Sequence, residues 1–287
     1  MRILLTNDDG IRAPGILALF DAIADTRSVF GGPLMNAAEI VPVAPLTVQS
    51  ATSHGVTFHE PLMVEAVKVP TPAGAVMDGT AVDGRPADCV KLALSTLWPE
   101  RFGAGTRPDL VISGMNAGAN CGINVIYSGT VAAALEGAFL GVPSIAVSLH
   151  LGRGTARFDL AAARARKALE AVLAGGLPED HACLSINIPR TEVPSEAGLP
   201  SEPPIHVCAM NTHGLVDKFE RRSSPGGAPY YWASGHGLDF HATDPGSDVD
   251  LLMKGCITVT PLAYDLTKHA MLDRWRERVE RQTGRGL

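Results

Sequence analysis

The chain has 287 residues, 46% of them hydrophobic, and a formal net charge of −6. That is enough apolar sequence for a full core, and too much for a disordered chain. No apolar run approaches the ~20 residues needed to span a bilayer, and the acidic balance offers no electrostatic footprint for duplex nucleic acid. Five scattered cysteines, Cys89, Cys121, Cys183, Cys208 and Cys256, form no C-x-x-C pair, which argues against a disulfide framework and a thiolate zinc site. The chain enters an apolar strand after one Arg with no leader pattern, so a reducing cytoplasmic setting is expected.

The first predicted strand, Ile3–Leu5, stops at Thr6-Asn-Asp-Asp-Gly10. Two adjacent carboxylates at the exit of a buried strand repel each other and are most easily kept there by a cation. Asn-Asp-Asp-Gly also suits a plain turn. A helix follows from Pro14 to about Ala24, then a long connection over 26–38. Ile40–Ala44 is the second strand. Its exit loop, Val43 to Ser53, carries Ser50 as the best candidate ligand, although a solvated Ser/Thr loop explains the composition as well. A helix is expected from Asp88 to about Leu97. The strand Leu110–Ile112 leads into a glycine-rich loop with Asn116 and Asn120. Side-chain amides give neutral oxygens to hard cations and N–H donors to phosphate; a structural Gly/Asn loop is the alternative. The loop lacks G-x-G-x-x-G, so the dinucleotide fingerprint is not met.

Tyr127-Ser-Gly-Thr-Val131 precedes a helix running from Thr130 to Leu140. Ser128 and Thr130 are good caps, and the exposed amides of such a start form an anion site. Ser144–Val147, a helix over Phe158–Ala174 and the strand Cys183–Ile188 complete the alternation. The alternation implies a mostly parallel sheet covered on both faces by helices, assigned to residues 1–204. Beyond a Pro/Ser/Glu-rich connection at 190–204, the short strands Ile205–Ala209, Tyr230–Trp232 and Cys256–Thr260 read as a C-terminal β-hairpin arm. A charged terminal helix, Ala270–Gln282, closes the unit 205–287. The ligand-bearing loops all leave strands at one edge of the sheet, where open α/β folds bind ligands.

Several motifs occur together and in order. They are Thr6-Asn-Asp-Asp-Gly10, Ala44-Pro45 with Ser50, Pro86-Ala-Asp-Cys-Val90, Ser113-Gly-Met-Asn-Ala-Gly-Ala-Asn120 and Tyr127-Ser-Gly-Thr-Val131. Ser185-Ile-Asn-Ile-Pro189, Pro229-Tyr-Tyr-Trp232 and Val259-Thr-Pro-Leu262 follow. Together they resemble the survival protein E (SurE) nucleotidase family from Met1 to about Met271. The resemblance implies a metal-dependent phosphatase acting on nucleoside 5′- and 3′-monophosphates, and in some members on short polyphosphate. It implies metal ligands at Asp8, Asp9, Ser50 and Asn116, with one Mg²⁺ or Mn²⁺ per subunit. It places phosphate contacts at Asn120 and Ser128-Gly129-Thr130, with Asp8, Asp9 and Asn120 as the catalytic set. It also implies a Rossmann-like α/β/α core with a C-terminal extension, and a homodimer or homotetramer built through C-terminal arms. Leu46-Thr-Val-Gln-Ser50-Ala51 and Gly84-Arg85-Pro86 depart from the family's usual Asp-Arg-Asn-x-Ser-Gly and Gly-Thr-Pro.

The residues agree with that chemistry. Two carboxylates with two neutral oxygens suit a hard cation that keeps open positions. A non-catalytic nucleotide or metal sensor on the same sheet is the alternative. A haloacid-dehalogenase-type phosphatase needs aspartates separated by one residue, and here they are adjacent.

Overall fold

A computed structural model describes residues 1–192, 201–234 and 237–283. The chain forms β1 (Arg2–Thr6), α1 (Pro14–Ala24), β2 (Glu39–Pro45), β3 (Met63–Pro70), β4 (Val76–Asp83), α2 (Pro86–Leu92) and α3 (Trp98–Phe102). It continues through β5 (Leu110–Ala117), α4 (Gly129–Phe139), β6 (Ser144–Leu149), α5 (Phe158–Leu173) and β7 (Cys183–Ile188). The last part contributes β8 (Ile205–Val207), β9 (Phe219–Ser223), β10 (Pro229–Ala233), α6 (Asp248–Met253), β11 (Ile257–Leu262) and α7 (Leu272–Thr283).

Nine strands make one sheet in the order β3-β4-β2-β1-β5-β6-β7-β11-β8. The run from β4 to β7 is parallel; β3 is antiparallel to β4, and β11 is antiparallel to β7. Strands covered on both faces read as unbroken apolar runs. In β1, Ile3 and Leu5 pack with Ile16, Leu19, Ile23 and Leu169 of α1 and α5. Leu4, pointing the other way as strand alternation requires, packs with Val90, Trp98 and Ala133 of α2, α3 and α4. This is the expected three-layer α/β/α arrangement. From β1 the chain crosses to β2 on one side and later to β5 on the other. The reversal opens a crevice at the carboxyl ends of these strands.

Two stretches differ from the sequence reading. No element was expected between Ala44 and Asp88, yet β3 and β4 form an edge hairpin there. The expected helix from Asp88 to Leu97 begins earlier, at Pro86, where proline fits a first helical turn. It then widens into a π-type turn over Ala93–Leu97 and continues as α3. The long connection at 26–38 is held by buried Asp25. Its carboxylate accepts from Val29 N (2.7 Å), Phe30 N (2.9 Å) and Gly32 N (2.8 Å). Buried Arg166 of α5 donates to Ala22 O (2.8 Å) and Gly32 O (2.9 Å). In the last part, β8 and β11 join the main sheet, whereas β9 and β10 pair only with each other and are exposed throughout.

Candidate active site

The turn after β1 is set by Gly10, whose φ of +98° lies in the left-handed region that glycine enters without strain. Its carbonyl accepts from Asn7 Nδ2 at 2.8 Å. Asp8 is buried, and Asp9 is half-buried beside it. The Thr130 hydroxyl donates to Asp8 Oδ1, and Ala117 N donates to Asp9 Oδ2 at 2.8 Å. Gly129 lies directly behind: a Cβ there would stand 2.9 Å from Asp8 Cβ and 3.0 Å from Pro86 Cγ. Only glycine lets α4 begin against this carboxylate.

Burial pushes the Asp8 carboxyl up to about 6; the Thr130 hydrogen bond opposes the shift and the Asp9 charge adds to it. Asp9 is also raised by burial, against the pull of the Ala117 amide. Two carboxylates disfavoured in their charged form by burial, one of them also by its neighbour, form a place for a cation.

The loop after β2 reaches the same point. Gln49 N donates to Asp8 O at 2.7 Å, which seats the adjacent, exposed Ser50 over the turn. Farther along, Ser53 donates from its hydroxyl to Ile126 O (2.7 Å) and from its amide to Tyr127 O (3.1 Å). His54 Nε2 meets Glu136 Oε2 of α4 at 2.8 Å. Thr57 is fixed to the buried Asp88 carboxylate by its amide (2.8 Å) and its hydroxyl (2.7 Å). The departing 46–51 sequence therefore hangs from a well-anchored segment.

Within β5, a break in register between Gly114 and Asn116 precedes the loop that lines the crevice. Asn116 commits its Nδ2 to Gly118 O at 2.7 Å, leaving its carbonyl oxygen as the end to offer a cation. Asn120 is buried, and its Nδ2 donates to Ser148 Oγ at 2.9 Å. Ser128 is the N-cap of α4, accepting from Val131 N at 3.1 Å.

Asp8, Asp9, Ser50, Asn116, Asn120 and Ser128 line one cleft of about 380 Å³. Gly129 and Thr130 do not line it with side chains; they stand behind Asp8 as the first turn of α4. Four side chains that the sequence reading does not single out also reach the cleft, Asn124, His150, Leu151 and Leu238, together with Tyr127, which the sequence reading names only as the start of its Tyr-Ser-Gly-Thr-Val motif. Asn187 was missed too, and it binds the main chain of Asn120. A lone Asn between Ile186 and Ile188 in an apolar strand is the signal that could have found it, because a buried amide needs partners. Among the described residues, no group of three or more His, Cys, Asp or Glu could hold a metal. Asp8 and Asp9, completed by Ser50 and Asn116 oxygens, fit a hard divalent cation that retains open positions.

The family model for survival protein SurE matches residues 3–210, a span that includes the sheet from β1 to β7 and the cleft residues from Asp8 to Leu151 but not Leu238. A 5′-nucleotidase SurE from Heliobacterium modesticaldum is 43% identical over 274 residues, covering 95% of this chain and 89% of that protein. One from Symbiobacterium thermophilum is 41% identical over 278 residues, covering 96% and 97%. The crystal structure of the SurE protein from Aquifex aeolicus superposes with a TM-score of 0.72 at 33% identity, over 97% of this chain and 99% of that one. With this match running through the Asp-Asp turn, the Asn loop and the start of α4 alike, the chain belongs to the survival protein SurE family.

Proposed function

We propose that this protein hydrolyses nucleoside 5′- and 3′-monophosphates to nucleoside and phosphate, with short polyphosphate as a further substrate. The observation that carries the reading is the convergence, in one cleft, of the Asp8–Asp9 pair with Asn120 and the N-terminus of α4. One end suits a cation and the other a phosphate. The relatives named 5′-nucleotidase support the nucleotide as substrate. Tyr127, His150 and Leu151 give the cleft a mixed aromatic and apolar wall on which a nucleoside can rest.

Asp8, Asp9, Ser50 and Asn116 would hold one Mg²⁺ or Mn²⁺. Such an ion, when bound, supplies Lewis-acid polarisation of the phosphoryl group. The chain supplies the rest. Asn120 and the main-chain amides of Gly129 and Thr130 bind the phosphate oxygens at a helix start, where the dipole favours negative charge. Their donors are fixed before charge builds in the transition state, which is where such preorganisation counts most. Thr130 holds Asp8 in place, and Ala117 does the same for Asp9. The two carboxylates orient the attacking water; its oxygen bonds to phosphorus as the phosphorus–oxygen ester bond breaks, a proton from the water passes to the departing nucleoside oxygen, and nucleoside and inorganic phosphate are released.

The same reading places the protein in the cytoplasm. No helix among the described residues is long and apolar enough to cross a membrane. It also makes the protein a homodimer or homotetramer joined through the exposed Phe219, Tyr231 and Trp232 of the arm.

A panel of phosphomonoesters assayed with Mg²⁺, Mn²⁺ and chelator tests the proposal. Phosphate release from nucleoside monophosphates should vanish with chelator and return with either ion. Asp9→Asn should lower it by orders of magnitude while the fold survives, because Asn suits the turn as well as Asp. Nucleotide binding without any turnover would instead favour the sensor, and full activity in metal-stripped protein would remove the mechanism.

A further inference from the structure

Asn120 sits in a loop that cannot hold it by itself. Gly118 and Gly122 flank it at φ +154° and +57°, and such glycines leave a chain loose unless something else fixes it. The fixing groups come from two neighbouring strands. Asn120 N donates to Asn187 Oδ1 at 2.8 Å, and Asn187 Nδ2 returns a bond to Asn120 O at 3.0 Å. One side chain thus closes a two-bond ring on the main chain of one residue. Ser148, in register with Asn187 on adjacent parallel β6, accepts from Asn120 Nδ2 at 2.9 Å. Both partners are almost wholly buried, at 1% and 0% exposure.

For the sheet alone, Asn187 is a poor choice. It is the penultimate residue of a buried strand, flanked by Ile186 and Ile188, where Asn is disfavoured and where a buried amide costs free energy unless paired. It spends both ends of its amide on the Asn120 loop. An apolar residue would serve β7 better and leave Asn120 N and O without partners. The strand has exchanged packing for a fixed loop.

We infer that Asn187, assisted by Ser148, is a positioning residue for catalysis that sets the place and orientation of Asn120 in the cleft. The inference rests on the reading that Asn120 contacts the phosphate. Asn187 does not line the cleft; it acts through Asn120. Misplacing a positioning group by about 1 Å can cost on the order of 10²-fold in rate.

A double-mutant cycle on the full-length protein, with Mn²⁺ and a nucleoside monophosphate, tests it. Asn187→Ala should lower kcat about 10- to 100-fold while the Mn²⁺ concentration for half-activation stays within about twofold. The double variant Asn120→Ala/Asn187→Ala should be no slower than Asn120→Ala alone, because the latch has nothing left to position. Losses that multiply in the double variant would overturn the inference, since Asn187 would then act independently of Asn120. Near-normal rates for Asn187→Ala beside a slow Asn120→Ala would overturn it as well. Near-normal rates for Asn120→Ala itself would instead remove the phosphate role of Asn120, and the latch with it. If Asn187→Ala does not fold, Ser148→Ala decides: it removes one oxygen and leaves the strand intact. A several-fold fall in kcat that disappears in the Asn120→Ala background supports the latch, and an unchanged kcat overturns it.

Discussion

Asp8 shows at a single side chain how this site is held in tension. Its folded carboxyl lies near 6 against an ordinary 3.8. Below about pH 3.8 both folded and unfolded states carry the proton, and burial imposes no ionic penalty. As pH rises through 6, the folded state must ionise a buried group, and stability is lost. The gap corresponds to roughly 3 kcal/mol. In chelator, Asp8→Asn should therefore raise the melting temperature above pH 6 and have far less effect near pH 4. Asn keeps an acceptor for the Thr130 hydroxyl. With saturating Mn²⁺ the advantage should disappear or reverse, because the cation offsets the charge of the wild-type pair. Thermal melts at two pH values, with and without Mn²⁺, check this; a variant no more stable than wild type in chelator at pH 7.5 would show that the carboxylate carries no such strain.

The loops that bring the cleft residues together differ in what they are tied to. The segment after β2 ends on Asp88, which accepts from Thr57 N, Thr57 Oγ1 and Arg85 N (3.0 Å) and thereby joins the Ser50 loop to the start of α2. The 26–38 connection is tied to Asp25, away from the cleft. Removing either carboxylate strands three donors, at about 2–3 kcal/mol or more. The consequences should differ. Asp88→Ala should weaken apparent Mn²⁺ affinity several-fold by loosening Ser50. Asp25→Ala should lower the melting temperature by roughly 5–10 °C with Mn²⁺ activation unchanged. Equal shifts in metal response for the two would show that the Ser50 loop is not set by Asp88. Asp8, Asp9, Ser50, Asn116, Asn120 and Ser128 were legible in the sequence because each follows a short apolar run at one sheet edge. The amides and hydroxyls that hold them were not legible. Ser148 and Ala117 lie far in the chain from the residues they hold and leave no local pattern; only Asn187 leaves a trace, as an amide between two isoleucines.

At the scale of the whole molecule, the parallel core was readable because its strands are buried on both faces and separated by patterned helices. The bounds of β7 and α1 match the reading, β1 and β2 are one residue longer at each end, and α5 is one residue shorter. Edge strand β8 and hairpin strand β10 were readable, whereas β3, β4 and β9 were not. β3 carries exposed Glu65 and Lys68 among its valines, and β9 is Phe-Glu-Arg-Arg-Ser, exposed throughout; neither shows one apolar face. An isolated two-stranded hairpin is marginal in water, so β9–β10, with Tyr231 62% and Trp232 55% exposed, should be ordered against a second copy. Excising residues 218–236 spares α6 and β11 and should reduce the mass measured by light scattering. An unchanged mass would rule out the hairpin as the interface.

The return of β11 to the edge of β7 also bears on how the chain is made. Cys183–Ile188 leaves the ribosome about seventy residues ahead of Ile257–Leu262. At ordinary synthesis rates that interval lasts roughly 4–14 s. Throughout it, a strand rich in isoleucine has one open edge, the template that aggregation uses. A nascent chain stalled or truncated in this window carries Asp8, Asp9, Ser50, Asn116, Asn120 and Ser128 and still lacks the strand that covers the edge of β7. Its fate then depends on whether a chaperone covers β7 before another nascent chain pairs with it.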